Sequence, residues 1–133
     1  MKLSCNFDFD MKPMKMIKSF IPAFVGLVFL IKNENNLKFQ LVLFFVVIFS
    51  GAILDLNRYD WICILLISAV VFVAEGLNSA IEKLADMVDL NYNPQIKTIK
   101  DISAAAVLIA ALISIIVGLL IFYPHIKKLF FCT

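Results

Sequence analysis

The sequence predicts an all-α integral membrane protein: an N-terminal amphipathic helix at the interface, followed by three transmembrane helices. Three observations carry this. Hydrophobic residues make up 62% of the 133 residues and charged residues 17%, with 13 Phe and a mean hydropathy of +0.97. A single domain of 15.0 kDa cannot hide that much apolar surface from water. Four uncharged stretches, Ser19 to Ile31, Phe39 to Leu54, Trp61 to Ala74 and Ile102 to His125, are 13, 16, 14 and 24 residues long, against about 20 helical residues needed to cross a bilayer. Finally, 12 Lys and Arg against 10 Asp and Glu leave a net charge of only +2, which excludes a nucleic-acid footprint.

The elements follow in order within one domain, residues 1–133. Residues 14–36 hold Pro22 and Gly26 behind a Lys-rich head, which favours an interfacial helix over a span. Residues 37–55 span if Lys38 snorkels and the helix starts a turn early. Residues 61–88 span only if the helix continues through Glu75, and no Pro or paired Gly intervenes before Asn91-Tyr92-Asn93-Pro94. Residues 100–123 are long enough outright.

Lys2, Lys12, Lys15, Lys18, Lys32 and Lys38 precede the first span, and Lys83, Lys97 and Lys100 lie near the third connection. The N-terminus and the segment around 83–101 are therefore expected on the cytoplasmic side, with Lys127 and Lys128 weakly opposed. Asp8 and Asp10 interrupt the basic head and no small-residue cleavage site follows, so no removed signal peptide is expected.

Several chemistries are absent from the sequence. Cys5, Cys63 and Cys132 are odd in number and widely spaced, which suits reduced thiols better than a disulfide framework or a zinc site. The glycines stand at 26, 51, 76 and 118, so no glycine-rich phosphate loop exists. With His125 the one histidine, a Ser-His-Asp triad is not expected, and His125 beside Pro124 reads as a surface residue.

The informative segment runs from Val73 to Asp86. At about 100° per helical residue, Glu75, Asn78, Glu82 and Asp86 fall within one arc of about 80°. Leu77, Ala80, Ile81 and Leu84 occupy the other side. A row of carboxylates at membrane depth is costly, so the stripe should face a protein interior or cavity with something positive opposite. Lys100, the basic N-terminal helix or a divalent cation could supply the charge, and hard cations take oxygen ligands such as Glu34. The same stripe could instead be a solvated helix extension carrying Lys83, Asp86 and Asp89.

The block Glu75-Gly76-Leu77-Asn78-Ser79-Ala80-Ile81-Glu82, then Asp86, then Lys100-Asp101-Ile102-Ser103-Ala104-Ala105-Ala106-Val107 resembles the signature of the prokaryotic diacylglycerol kinase family, which includes undecaprenol kinases. Gly26-Leu27 and Asn33-Glu34 stand at the family's distances, so the resemblance runs from about 15 to 124. It implies a homotrimeric enzyme of the bacterial inner or plasma membrane that moves the γ-phosphate of ATP to a lipid alcohol, with Mg²⁺. By the resemblance Glu75 is the general base, Glu34 and Glu82 hold Mg²⁺, and Asn78 and Asp86 support them. Lys15, Asn91, Tyr92, Asn93, Lys100 and Asp101 match nucleotide-contacting positions. Lys15 and Lys38 stand where the family commonly has Arg, and Asn93 where it commonly has His. Two other readings remain: a cation- or proton-coupled transporter using Glu75, and a membrane scaffold without activity.

Overall fold

The described residues form four helices: α1 Pro13–Asn33, α2 Asn35–Ile53, α3 Arg58–Val88 and α4 Pro94–Phe131. The structure, a computed structural model, describes the backbone of residues 13–88 and 93–131 and the side chains of residues 20–88 and 93–129.

α1 belongs to a unit of its own, residues 1–33. Its described apolar part, Phe20–Asn33, is shorter than a span, and Phe20, Ile21, Phe24 and Val25 are exposed along it. The helix stops at Asn33 and not near 36, because Glu34 takes an extended backbone, φ −95° and ψ 112°. In the last turn Asn33 folds its side chain back, donating from Nδ2 to the Phe29 carbonyl at 2.8 Å.

The second unit, residues 34–133, contains α2, α3 and α4. All three are long and apolar enough to cross a membrane: Asn35–Ile53, Arg58–Val88 and Pro94–Leu129. Consecutive helices run antiparallel. Glu34 meets Lys83 and Gln40 meets Glu75 between α2 and α3, while Asp86 meets Lys100 and Asp60 faces His125 between α3 and α4.

The ends of these helices follow from local chemistry. α2 closes with Leu54 N–H donating to Ser50 and Leu56 N–H to the Gly51 carbonyl, around Asp55 at φ 49°. This is a Schellman-type stop with Asp in the left-handed position that Gly or Asn usually takes. A Cβ on Gly51 would stand 2.9 Å from Leu56 Cδ1 and 3.1 Å from the Trp61 ring, so any larger residue here would have to push these two side chains aside. Asn57 then caps α3, its Oδ1 accepting from the N–H groups of Tyr59 and Asp60 at 2.8 and 3.1 Å. α4 begins at Pro94, six residues before the expected start near 100, because Asn93 Oδ1 accepts from Gln95 N–H at 3.0 Å and Pro94 occupies the first helical position. Asn before Pro is a helix start, where the lost N–H costs nothing. α4 also runs on through Pro124 to Phe131.

At the α2–α3 turn, Leu56, Ile64 and Ile121 form a buried cluster, with Trp61, Val117 and Phe122 packed on it. His125 is part of this end and not a free surface residue. Its Nδ1 lies 2.9 Å from the Ile121 carbonyl and its Nε2 3.6 Å from Asp60. Asp60 is itself held by Asn57 Nδ2 at 2.6 Å. Cys63 is a free, exposed thiol.

Asn57 carries two backbone N–H groups and Asp60, so Asn57→Ala should cost about 1 kcal/mol of stability in equilibrium unfolding from mixed micelles.

Candidate active site

The polar stripe on α3 turns inward. Glu75 is 2% exposed, Asn78 and Ser79 are also buried, and Leu77 and Leu84 on the other side are 60% and 62% exposed. That arrangement suits a helix with lipid outside and polar groups within. Exposure of the stripe rises along α3: Glu82 is half-buried and Asp86 exposed.

Glu75 and Asn78 on this face are met by side chains from other helices. Gln40 of α2 donates from Nε2 to Glu75 Oε2 at 3.0 Å. Glu75, the deepest carboxylate, is thus met by a neutral amide where the sequence suggested a positive charge. A neutral donor satisfies the oxygen without bringing a second charge out of water. Asn78 donates from Nδ2 to Glu82 Oε1 at 2.9 Å and accepts at Oδ1 from Ser103 Oγ at 2.6 Å. Ser103 also lies 2.9 Å from the Lys100 carbonyl of α4. Nearer the helix ends, Lys83 Nζ lies 2.6 Å from Glu34 Oε1, and Lys100 pairs with Asp86.

The residues singled out from sequence fall into four groups. Glu75, Asn78 and Glu82 share one inward face, with Glu34 joined to α3 through Lys83 and Lys100 joined to it through Asp86. Asp101 lies apart, largely exposed and paired with Lys97 one helical turn earlier at 2.5 Å. The Asn93 carboxamide is engaged as the α4 cap. Asn91, Tyr92 and the Lys15 side chain lie outside the described residues.

Gln40 and Ser103 were not singled out, although both touch the stripe. Gln40 could have been found as a carboxamide in the otherwise apolar run Phe39–Phe49, since an amide at that depth needs a partner. Ser103 sits inside the Lys100–Ala110 block.

Among the described residues no group of three or more His, Cys, Asp or Glu side chains gathers as a metal cluster. Glu34 and Glu82 are hard oxygen donors, and Mg²⁺ needs only one or two carboxylates beside phosphate oxygens. Glu34 already attracts a cationic group, the Lys83 ammonium, and both carboxylates offer the oxygen chemistry that a hard cation takes.

An apolar groove of about 720 Å³ opens between α2, α3 and α4, with Phe44, Phe72, Ile115, Phe122 and Tyr123 in its walls and Gln40 among its lining residues. The Phe44 and Phe72 rings meet edge to face, centroids 5.5 Å apart, joining α2 to α3 within about one turn of the Gln40–Glu75 contact. Gln40 Oε1 is buried and has no hydrogen-bond partner, a state that costs about 1–3 kcal/mol.

Asn78 ties Glu82 on α3 to Ser103 on α4. Asn78→Ala should lower stability in micelles by about 1–3 kcal/mol, because Ser103 Oγ loses its buried acceptor and Glu82 its donor. The measurement is the unfolding free energy of the variant against the parent chain.

Comparison with known proteins gives the same direction as the site. An undecaprenol kinase of Bacillus subtilis is 35% identical over 112 residues, covering 84% of this chain and 91% of that protein. A diacylglycerol kinase of Synechocystis sp. is 30% identical over 115 residues, covering 86% of this chain and 66% of that protein. Residues 22–122, which include all of α2 and α3 and most of α4, match the family described as prokaryotic diacylglycerol kinase. With its three apolar spans and the inward carboxylate stripe of α3 inside the matched region, this chain belongs to the prokaryotic diacylglycerol kinase family.

Proposed function

We propose that this protein transfers the γ-phosphate of ATP to the hydroxyl of a membrane lipid alcohol, with Mg²⁺, and that the preferred acceptor is a polyprenol of the undecaprenol type. One observation carries the reading. A buried carboxylate, Glu75, is held by Gln40, and Gln40 also lines an apolar groove open between three membrane helices. A lipid chain lying in that groove brings its hydroxyl to the Gln40 end. There it meets the Gln40 Oε1 acceptor that lacks a partner and the carboxylate of Glu75.

A lipid hydroxyl is a poor nucleophile until a base within hydrogen-bond reach takes its proton. Gln40 engages Oε2 of Glu75, so Oε1 is the oxygen assigned to the hydroxyl proton. As the lipid oxygen bonds to the γ-phosphorus, the bond from that phosphorus to the β-phosphate bridging oxygen breaks and ADP departs. Phosphoryl transfer then depends on positioning and charge neutralisation. Mg²⁺ held by Glu34 and Glu82 would supply part of that neutralisation. Asn78 fixes Glu82, and Ser103 fixes Asn78 from α4. Asp86 holds Lys100 beside this face. Lys15, Asn91, Tyr92, Asn93, Lys100 and Asp101 are proposed to contact the nucleotide.

The N-terminus and this end of the helices are proposed to face the cytoplasm, where ATP is found, in agreement with the Lys-rich segments around them. A homotrimer with sites shared between subunits is proposed from the family resemblance. The polyprenol preference is supported by the relative named undecaprenol kinase, which this chain covers nearly end to end, and by Phe122 and Tyr123 in the groove wall. Family membership displaces the transporter reading, which gives no reason for Glu34, Asn78 and Glu82 to accompany Glu75.

The test is transfer of labelled γ-phosphate from ATP·Mg²⁺ by the purified chain in micelles offered undecaprenol and diacylglycerol separately. Labelled undecaprenyl phosphate is expected. Labelled phosphatidic acid alone would transfer the reading to diacylglycerol, and no labelled lipid, with an active relative run in parallel, would refute it. In the same assay Gln40→Leu should lower kcat about tenfold, the loss of one hydrogen bond to the base.

A further inference from the structure

Lys83 follows Glu82 on α3, and its ammonium reaches Glu34 Oε1 at 2.6 Å across 49 residues of sequence. Glu34 is the cap residue of α2, where a side chain ordinarily turns back onto the free N–H groups of its own helix. Glu34 makes no such bond, and its carboxylate is directed to Lys83. The lysine side chain is 47% exposed and that of Glu34 20% exposed. A pair this open adds little stability.

We propose that Lys83 is an exchangeable counterion. It holds Glu34 while the site lacks metal and nucleotide, yields Glu34 to the divalent cation, and then contacts a phosphate oxygen of the same nucleotide. The proposal rests on the assignment of Glu34 as a metal-holding carboxylate. Without a cation, Glu34 would stand uncompensated near Glu82's end of α3, and the Lys83 ammonium fills that role. An ammonium on a flexible four-carbon stem can leave one oxygen for another nearby with little rearrangement, and Lys binds phosphate as a point charge. In both states Glu34 and Lys83 each keep an opposite charge, so exchange leaves neither charge unpaired.

Mn²⁺ titration of the full chain in micelles, followed by electron paramagnetic resonance, tests this without turnover. Lys83→Met should bind Mn²⁺ alone two- to fivefold more tightly, since the competing ammonium is gone, a range set by the strength of an exposed pair. With Mn²⁺ present it should bind a non-hydrolysable ATP analogue about two- to fivefold more weakly, and Lys83→Arg should stay near wild type in both titrations. Lys83→Gln, which keeps a polar side chain, repeats the test if Met impairs folding. Unchanged binding in the Lys83 variants, while Glu34→Gln weakens Mn²⁺ binding, would overturn the exchange and leave the Glu34 assignment intact. Unchanged Mn²⁺ binding in Glu34→Gln would overturn both.

Discussion

A carboxylate buried within a membrane helix has to be surrounded by donors, because neither lipid nor a packed helix face can solvate it. Glu75 sets this condition for the whole three-helix unit. Gln40 must lie opposite it, which fixes the register of α2 on α3. Ser103 must reach Asn78 one turn further along, which fixes α4. The apolar cluster of Leu56, Ile64 and Ile121 holds the same helices at the α2–α3 turn. Between the polar contacts and that cluster the helices leave a groove and not a filled core.

This arrangement separates two tasks along the helices. The groove walls are nearly all apolar and suit a lipid chain, while the charges gather toward Glu34, Glu82, Asp86 and Lys100. The sequence holds no glycine-rich phosphate loop, and the charged groups at this end stand on helices braced against one another by hydrogen bonds and ion pairs. Lys83 and Lys100 give Glu34 and Asp86 cationic partners at this end, while Glu82 is met by the Asn78 amide.

The sequence shows the stripe of α3 because its signal is local: Glu75, Asn78 and Glu82 recur at helical spacing, and three apolar stretches of sufficient extended length give the spans. It does not show what meets the stripe. Gln40 and Glu75 are 35 residues apart and Ser103 and Asn78 are 25 apart, so their pairing depends on helix register, which no local period encodes. The start of α4 was hidden for another reason. Lys97, Lys100 and Asp101 made 94–100 look like a loop, whereas Asn93 and Pro94 form a helix start and the charges lie on its first turns. His125 beside Pro124 looked exposed, yet α4 continues through the proline and brings the ring against Asp60.

The central claim is that the buried carboxylate of Glu75 takes the proton of the lipid hydroxyl. The most direct measurement is lipid phosphorylation by Glu75→Gln, with nucleotide binding and unfolding measured on the same preparation. Gln keeps the size and a hydrogen-bonding oxygen for Gln40 but cannot accept the proton. Folding and nucleotide binding should be retained while turnover falls about hundredfold or more. Turnover near that of the parent chain would contradict the account.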